Sequence, residues 1–203
     1  METVGIGAEA LIYKEGSVLV KKRLKKGYRL DEIDKKLRRS RTKKEAKLLN
    51  EARRSLVAVP LVYSVDLNKK QVEMELIEGK LIKDYLEKTT KKRRIWICEQ
   101  IGSQVSRLHQ ANIIHGDLTT SNMILRKGKI FLIDFGLAER SDRIEDKATD
   151  VHLFMRALIS KHSRFWRYCF DAFKEGYKNK DAKAVFDRLS KIEKRGRYSK
   201  RAL

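Results

Sequence analysis

The segment at residues 113–140, IIHGDLTTSNMILRKGKIFLIDFGLAER, constrains the fold and chemistry of this chain more than any other. It places two aspartates, Asp117 and Asp134, within largely apolar runs. A buried carboxylate destabilises a protein strongly unless a nearby charge or a metal compensates it. We therefore expect both carboxylates to belong to a site that supplies such partners.

The residues around the first aspartate match a pattern with a known chemical use. His115, Asp117, Leu118 and Asn122 fit the H-x-D-L-x-x-x-N catalytic loop of protein kinases, with Gly116 where that loop usually has Arg. In this pattern Asp117 is the catalytic base, which orients a water or hydroxyl acceptor and accepts its proton. His115 is expected to be structural, packing in the loop and hydrogen-bonding to it.

The second aspartate begins the tripeptide DFG at residues 134–136, twelve residues after Asn122. The glycine permits the backbone turn that directs the carboxylate of Asp134 toward a metal ion. We expect Asn122 and Asp134 to bind Mg²⁺. Taken singly, either aspartate could cap a turn or occupy a bend, but their common spacing with Asn122 favours the metal and catalytic interpretation.

A site of this kind also needs a strand lysine that binds ATP phosphates and a helix glutamate that orients it. In VLVKKR, Lys21 follows Val18 and Val20 and is expected to face inward as this lysine, with Lys22 as the rival. Glu45, in RTKKEAKLL on the next predicted helix, is the expected partner. We class Lys21 and Glu45, with Asp117, as the catalytic set.

Further contacts to ATP are expected from backbone groups. Gly5, Gly7 and Ala8 lie in GIGAEA, which offers two of the usual three glycines of a phosphate-binding turn but has the composition of an ordinary hairpin turn as well. In VEMELIEG, the backbone of Glu75 and Ile77 is expected to pair with adenine, where the two lobes connect.

The hydrophobic pattern predicts an α+β chain of two lobes. Strands are expected in the first twenty residues, a helix at 31–54, a hairpin with its tip at 66–70, and helices at 81–112 and after residue 142. The apolar positions of the first helix are Ile33, Leu37, Ala46, Leu48 and Leu49.

This order predicts a single protein-kinase-like domain. A small β-rich N-lobe is expected at about residues 1–78 and a shortened helical C-lobe at about 79–190, with Gly79 near the joint. The basic residues at about 191–203 are poor in apolar side chains and predict a mobile tail.

The charge of the chain is strongly one-sided. Lys and Arg number 48 against 27 Asp and Glu, a net charge of +21, which favours a polyanionic partner such as nucleic acid; a salt-tolerant or thermophilic surface is the alternative.

Cys98 and Cys169 form no C-x-x-C pair, which fits a reducing compartment. With neither a signal peptide nor a membrane-length apolar run in the sequence, a cytoplasmic protein without membrane contact is expected.

The motifs that resemble one particular family extend over nearly the whole chain. They are GAEA at 7–10, VKKRLKKGYR at 20–29, LDEIDKKLRRSRTKKEAKLL at 30–49, MELIEG at 74–79, HGDLTTSN at 115–122, IDFGLAE at 133–139, EDKATDVHLFMRAL at 145–158 and RGR at 195–197. The chain resembles the kinase subunit of the KEOPS complex, the PRPK-type small atypical kinases related to the RIO kinases. One departure is YRLDEID at 28–34, where relatives often have His-Pro after YR.

The resemblance implies an ATP-dependent and Mg²⁺-dependent serine/threonine kinase or ATPase within the assembly that makes threonylcarbamoyladenosine on tRNA. Its implied partners are the threonylcarbamoyl-transferring subunit, the other KEOPS subunits and tRNA, with residues 191–201 as a tRNA contact or else a solvated end. Thr119 stands where protein kinases usually have Lys, which implies slow turnover. Asp150 matches the helix aspartate that braces the catalytic loop.

Two alternatives remain at this point. Pro60 is the only proline, so no A-P-E motif can follow Asp134, and a conventional platform for peptide substrates is not expected. The chain could nevertheless be a free-standing protein or small-molecule kinase. It could also be a nucleotide-binding scaffold in a tRNA-binding complex, although a scaffold does not need a catalytic base.

Overall fold

A five-stranded antiparallel sheet and one long helix form the N-terminal lobe. In the computed structural model, the backbone of residues 2–6 and 10–199 and the side chains of residues 10–195 are described. The elements are β1 (Glu2–Ile6), β2 (Ala10–Glu15), β3 (Val18–Arg23), α1 (Asp31–Arg54), β4 (Val62–Asp66) and β5 (Gln71–Glu75). The strand order is β1-β2-β3-β5-β4, so β3 is central.

Short turns set the register of this sheet. The β2–β3 hairpin pairs Glu15 with Val18 across a two-residue loop, and Gly16 takes φ +59°, a conformation that suits glycine. The hairpin tip predicted at residues 66–70 lies between β4 and β5, as the sequence pattern indicates.

Helix α1 has the predicted bounds, but the prediction of its apolar face is wrong over its first half. Ala46, Leu48 and Leu49 are buried, whereas Ile33 and Leu37 are 51% and 38% exposed. A helix of 24 residues is about 36 Å long, and strands of five or six residues span only about 20 Å. The helix therefore exceeds the length of the sheet that it packs on, and its N-terminal turns project from it.

The C-terminal lobe is mainly helical. Its elements are β6 (Lys80–Leu81), α2 (Ile82–Lys88), α3 (Lys91–Gln110), β7 (Ile113–Ile114), β8 (Met123–Arg126), β9 (Lys129–Leu132), β10 (Glu139–Arg140), α4 (Ile144–Lys161), α5 (Trp166–Gly176) and α6 (Ala182–Ser199). Strands β6, β8 and β9 form one small sheet, and β7 pairs with β10. The prediction of an α+β, two-lobed chain is confirmed.

Gly79 lies at the joint between the lobes, between β5 and β6. A Cβ atom at this position would lie 2.5 Å from the carbonyl oxygen of Leu125 in β8. Since such a distance is shorter than non-bonded atoms allow, only glycine lets the connecting chain pass this close to the C-lobe sheet.

The C-terminal segment differs from its prediction. Helix α6 continues to Ser199, so residues 191–199 of the predicted tail are helical, and residues 200–203 lie outside the described part of the chain. Val185, Leu189 and Ile192 recur at helical spacing and pack into the core, which explains why the helix extends into the basic segment. Within residues 2–6 and 10–199, the helices are too short or too polar to span a bilayer.

Candidate active site

A lysine on β3 joins the two lobes. The Lys21 ammonium donates to Glu45 Oε1 of α1 at 2.6 Å and to Asp134 Oδ1 at 2.7 Å. Lys21 is only 8% exposed, whereas its rival Lys22 is exposed because it has the opposite strand phase. The structure thus brings together three of the predicted site residues and places Lys22 outside the site.

A second buried cation lies beside this lysine and was not predicted from the sequence. Arg23 Nη2 donates to Glu45 Oε2 at 2.5 Å, and Arg23 is 4% exposed. The strand pattern did carry a signal for this residue: Arg23 follows Lys21 by two residues and therefore lies on the same face of β3. Glu45 is therefore held through both oxygens by two cations, which we call the Glu45 clamp (Lys21, Arg23, Glu45).

The charges of the site shift its pKa values in opposite directions. Burial lowers the pKa of Lys21, but the charges of Glu45 and Asp134 and the hydrogen bonds to them outweigh burial and raise this pKa above its ordinary value. Burial raises the pKa of Asp134, but the charge and hydrogen bond of Lys21, with the Gly136 N–H, bring it below the ordinary value. Both groups are therefore charged at neutral pH, as phosphate and metal binding require.

The backbone at Asp134 has an unusual conformation. Its φ is +61°, in the left-handed region that non-glycine residues seldom adopt. The Gly136 N–H donates to Asp134 Oδ1 at 3.1 Å, and a Cβ at Gly136 would lie 3.0 Å from that same oxygen. Glycine at 136 leaves room for the carboxylate, which is 46% exposed and so accessible from the cleft.

A tight hairpin brings the loop that carries Asp117 next to the segment that carries Asp134. Strands β8 and β9 pair Met123 with Leu132, and Lys127 and Gly128 both take positive φ in the two-residue turn. This register places the catalytic loop (residues 115–122) beside the segment leading to Asp134, and the Ile133 N–H donates to the Asn122 carbonyl at 3.0 Å.

Within the catalytic loop, Asn122 and Asp117 are joined directly. The Asn122 amide nitrogen donates to Asp117 Oδ2 at 2.8 Å and to the Asp117 carbonyl at 2.9 Å. Because the amide nitrogen is used in this way, the amide oxygen of Asn122 is the atom that could bind a metal. Asp117 is partly exposed, so its carboxylate can contact a ligand in the cleft.

Buried side chains support the loop from below. The Asp150 carboxylate accepts from the His115 and Gly116 N–H groups at 2.8 and 3.0 Å and from His109 Nε2 at 3.1 Å. Burial raises the pKa of Asp150. The opposing effects, of which the hydrogen bond and charge of His109 are the largest, outweigh burial and bring this pKa below its ordinary value. His115 is fully buried and contacts the carbonyl of Ile133 through Nε2 at 3.0 Å, as its predicted structural role requires.

The residues expected to contact the nucleotide lie in β1 and at the positions directly after it, and at the end of β5 and in the connection that follows. The Glu75 N–H donates to the Leu61 carbonyl at 2.8 Å within the sheet, so an adenine contact at Glu75 falls on its carbonyl. Ile77 is buried in the connection that follows β5. Gly5 lies in β1, paired with Ile12, whereas the predictions at Gly7 and Ala8 concern residues outside the described part.

The donor atoms near the cleft suit a hard cation. Asn122 offers an amide oxygen and Asp134 a carboxylate, and Mg²⁺ is typically held by one or two such protein oxygens together with substrate phosphates and water. Among the described residues no cluster of three or more His, Cys, Asp or Glu side chains could hold a metal ion by itself. Asn122 and Asp134 would leave the other positions around such an ion to water and to phosphate oxygens.

A two-lobed fold whose cleft carries a lysine–glutamate pair opposite two loop carboxylates defines a protein-kinase-like domain. The sequence model of the RIO domain matches residues 12–153 of the chain. The KEOPS complex subunit Bud32 of Pyrococcus abyssi is 43% identical, with 100% of this chain and 98% of that protein covered. The chain belongs to the Bud32 family of RIO-domain proteins, which confirms the family resemblance of the sequence.

Two further relatives show how the family varies. A probable serine/threonine-protein kinase BUD32 homolog of Archaeoglobus fulgidus is 38% identical, with 98% of this chain and 97% of that protein covered. A probable bifunctional tRNA threonylcarbamoyladenosine biosynthesis protein of Methanobrevibacter smithii is 42% identical over 95% of this chain. The match covers only 36% of that longer protein.

Proposed function

We propose that the chain is an atypical serine/threonine kinase and ATPase that acts as the KEOPS subunit supporting threonylcarbamoyladenosine modification of tRNA. The observation that carries the catalytic part is the contact of Lys21 with both Glu45 and Asp134 across the cleft. The tRNA and complex part is supported by the names of the relatives in Pyrococcus abyssi and Methanobrevibacter smithii. The chain spans only about a third of the latter, so the activity of that whole protein is not transferred to this chain.

In this proposal Lys21 binds the phosphates of ATP and Asp134 binds the metal ion. Lys21, oriented by Glu45, holds the α- and β-phosphates of ATP. Lys21 also donates to Asp134 Oδ1 at 2.7 Å, so the same ammonium would lie between the phosphate oxygens and the metal-binding carboxylate. Asn122 and Asp134 would hold Mg²⁺, whose chemistry is to offset the charge that develops on the transferred phosphoryl group.

Asp117 acts on the acceptor. The Asn122 amide fixes its Oδ2 at 2.8 Å, and the carboxylate orients a water or a Ser/Thr hydroxyl and accepts its proton. Thr119, two residues later, supplies no cation toward the γ-phosphate, so phosphoryl transfer is less stabilised than in protein kinases with Lys at this position. Slow turnover is the expected result.

The basic surface supplies the RNA contact in this proposal. The net charge of +21 favours a polyanion, and helix α6 presents Lys191, Lys194 and Arg195 as exposed side chains. The substrate RNA and the threonylcarbamoyl-transferring subunit would together raise the ATP turnover of the chain. The absence of membrane-spanning helices among the described residues is compatible with a cytoplasmic complex.

The test is Mg²⁺-dependent ATP hydrolysis by the purified chain, with and without the threonylcarbamoyl-transferring subunit and tRNA. Asp117→Ala and Asp134→Ala should each lower turnover at least about a hundredfold, the usual contribution of a general base or an electrostatic stabiliser. Retention of near-wild-type hydrolysis by Asp134→Ala would contradict the metal assignment.

Two outcomes would favour other functions. Rapid phosphorylation of one hydroxyl substrate, insensitive to partner and tRNA, would identify a free-standing kinase. Nucleotide and tRNA binding without hydrolysis, unchanged in Asp117→Ala, would identify a scaffold.

A further inference from the structure

Three polar side chains form a hydrogen-bonded chain that reaches the catalytic loop at Thr120. His162 caps the C-terminus of α4, and its ring contacts Thr120 Oγ1 through Nε2 at 3.3 Å. Its other nitrogen, Nδ1, contacts Glu87 Oε1 of α2 at 2.6 Å. We call this set the His162 tether (Glu87, His162, Thr120).

The tether is buried at the end that meets the loop. His162 and Thr120 are each 1% exposed, whereas the Glu87 side chain is 45% exposed. Phe165 stacks on the imidazole with ring centroids 5.4 Å apart, and the Arg94 guanidinium lies 4.0 Å from the centre of the Phe165 ring. The imidazole is thus fixed by packing as well as by hydrogen bonds.

The hydrogen-bond roles follow from the chemistry of the partners. A carboxylate only accepts, so the imidazole Nδ1 must carry a hydrogen and donate to Glu87. In the neutral ring Nε2 then accepts from the Thr120 hydroxyl. Both ring nitrogens are used, which sets the orientation of His162 and offers Thr120 a fixed acceptor.

Thr120 occupies the middle of the segment that carries the two key side chains. It belongs to the 3-10 turn at Thr120–Asn122, and the turn begins where the Asn122 N–H donates to the Thr119 carbonyl at 3.0 Å. The Thr119 N–H in turn donates to the Asp117 carbonyl at 2.9 Å. Holding Thr120 in place therefore fixes the backbone on both sides of it.

We propose that His162 is a positioning residue for phosphoryl transfer, which holds Asp117 and Asn122 in place through the Thr120 hydroxyl while Glu87 orients its ring. The inference rests on the proposed function, because that function makes Asp117 and Asn122 the reacting and metal-binding groups. Asp150 holds the start of the loop at His115 and Gly116, and the His162 tether holds its end.

The alternative is that His162 is a satisfied core histidine with no effect on the loop. The two possibilities differ in what a mutation changes. Loss of core packing lowers stability and leaves the kinetics of the folded fraction unchanged. Loss of a positioning contact lowers kcat, while the KM for ATP is retained because Lys21 and the connection between the lobes bind the nucleotide.

The first variant is Thr120→Val, which keeps the volume of the side chain and removes the hydroxyl. We expect kcat for ATP hydrolysis to fall about fivefold to tenfold, since one hydrogen bond is lost, with the KM for ATP within about twofold of wild type. Thr120→Ser retains the hydroxyl and should restore most of kcat. The matched control is Thr149→Val on α4, whose hydroxyl bonds the Glu145 carbonyl at 2.9 Å on the exposed side of the helix.

A double-mutant cycle links the loop to the histidine. His162→Leu and Thr120→Val should not be additive in kcat, because each removes the same contact, whereas additive losses would overturn the tether. His162→Gln can still donate and accept, so it should lose less than His162→Leu. If His162→Leu proves too unstable to purify, the comparison of Thr120→Val with Thr120→Ser decides whether the contact affects kcat.

A measurement independent of catalysis separates this inference from the proposed function. Amide hydrogen exchange of residues 117–122 should speed up in Thr120→Val but not in Thr149→Val. Unchanged exchange and unchanged kcat in Thr120→Val would overturn the tether and leave the proposed function intact. Absence of hydrolysis in the wild type would overturn the proposed function, and the exchange data would still decide whether the tether fixes the loop.

Discussion

At the scale of single residues, Glu45 is the most constrained group of the site. It is 2% exposed and accepts from Lys21 at 2.6 Å and from Arg23 at 2.5 Å. Removing one partner of a buried charge pair leaves an uncompensated charge, which destabilises more than the pair itself stabilises. Arg23 therefore matters for the position of Glu45, and through Glu45 for that of Lys21.

The variant Arg23→Met tests whether Arg23 holds Glu45 in position. Methionine retains much of the volume of the side chain and removes the charge, so the free energy of unfolding should fall on the order of 3 kcal/mol, measured by urea denaturation. ATP turnover of the folded protein should fall as well, because Glu45 loses one of two contacts that orient it. Lys22→Met on the same strand is the control, and its exposed side chain predicts a change within about 0.5 kcal/mol. Equal effects of the two variants would contradict the Glu45 clamp.

At the scale of elements, helices α3 and α5 pack with their backbones in unusually close contact. A Cβ at Gly102 would lie 2.1 Å from the Phe173 carbonyl oxygen, and one at Gly176 would come within 1.9 Å of that of Glu99. Small residues allow this approach, and the buried rings of Phe173 and Tyr177 fill the space beside it. The same two helices enclose Cys98 and Cys169, both of which are free and buried.

Gly102→Ala tests this packing. On an isolated helix alanine would stabilise by up to about 1 kcal/mol, but here the added methyl group overlaps the backbone of α5. We expect a net loss of about 2–3 kcal/mol in the free energy of unfolding, the usual effect of overpacking, with a lower Tm.

Gly27→Ala is the matched control for that variant. Nothing lies within 4 Å of the Cβ that it would add, so its Tm should be unchanged or slightly higher. A Gly102→Ala protein as stable as Gly27→Ala would show that α3 and α5 can separate at no free-energy cost.

At the scale of the whole molecule, the two lobes meet at the contact between Lys21 and Asp134, and the surface carries a large positive charge. Long-range attraction to RNA depends on the total charge, whereas a defined contact depends on where the cations lie. Helix α6 carries Lys191, Lys194 and Arg195 as exposed side chains at helical spacing, so these three cations lie on one face of a helix of the C-lobe.

The combined variant Lys191→Ala, Lys194→Ala, Arg195→Ala should weaken binding to tRNA and reduce the slope of log affinity against log salt concentration by about 2 to 3. Lys35→Ala, Lys36→Ala, Arg39→Ala on α1 removes the same charge from another exposed surface and should change the slope little. Fluorescence anisotropy with labelled tRNA at several salt concentrations measures both. Equal losses in the two variants would mean that RNA senses net charge and not helix α6.

The sequence predicted those residues of the site that belong to motifs with a defined spacing, and it missed the others. Asp117 and Asn122 precede the β8–β9 hairpin and Asp134 follows it, so their spacing alone indicates their common site. Arg23 was missed because no motif singles it out among 48 basic residues, although it shares a strand face with Lys21. The contact of His162 with Thr120 belongs to no motif with a defined spacing, so the sequence carried no signal of this pairing.

The amino-acid sequence by itself determined the α+β class, the two lobes and the family, and it predicted candidate residues of the cleft, because periodicity, turn residues and motif spacing can be read from the order of residues alone. Only the tertiary structure decided that Arg23 shares Glu45 with Lys21, that the first turns of α1 project past the sheet, that α6 continues to Ser199, and that His162 lies under the catalytic loop. Whether a side chain is buried or paired depends on which distant segments pack against it. Packing of the whole chain decides this, because local preference fixes only the structure of neighbouring residues.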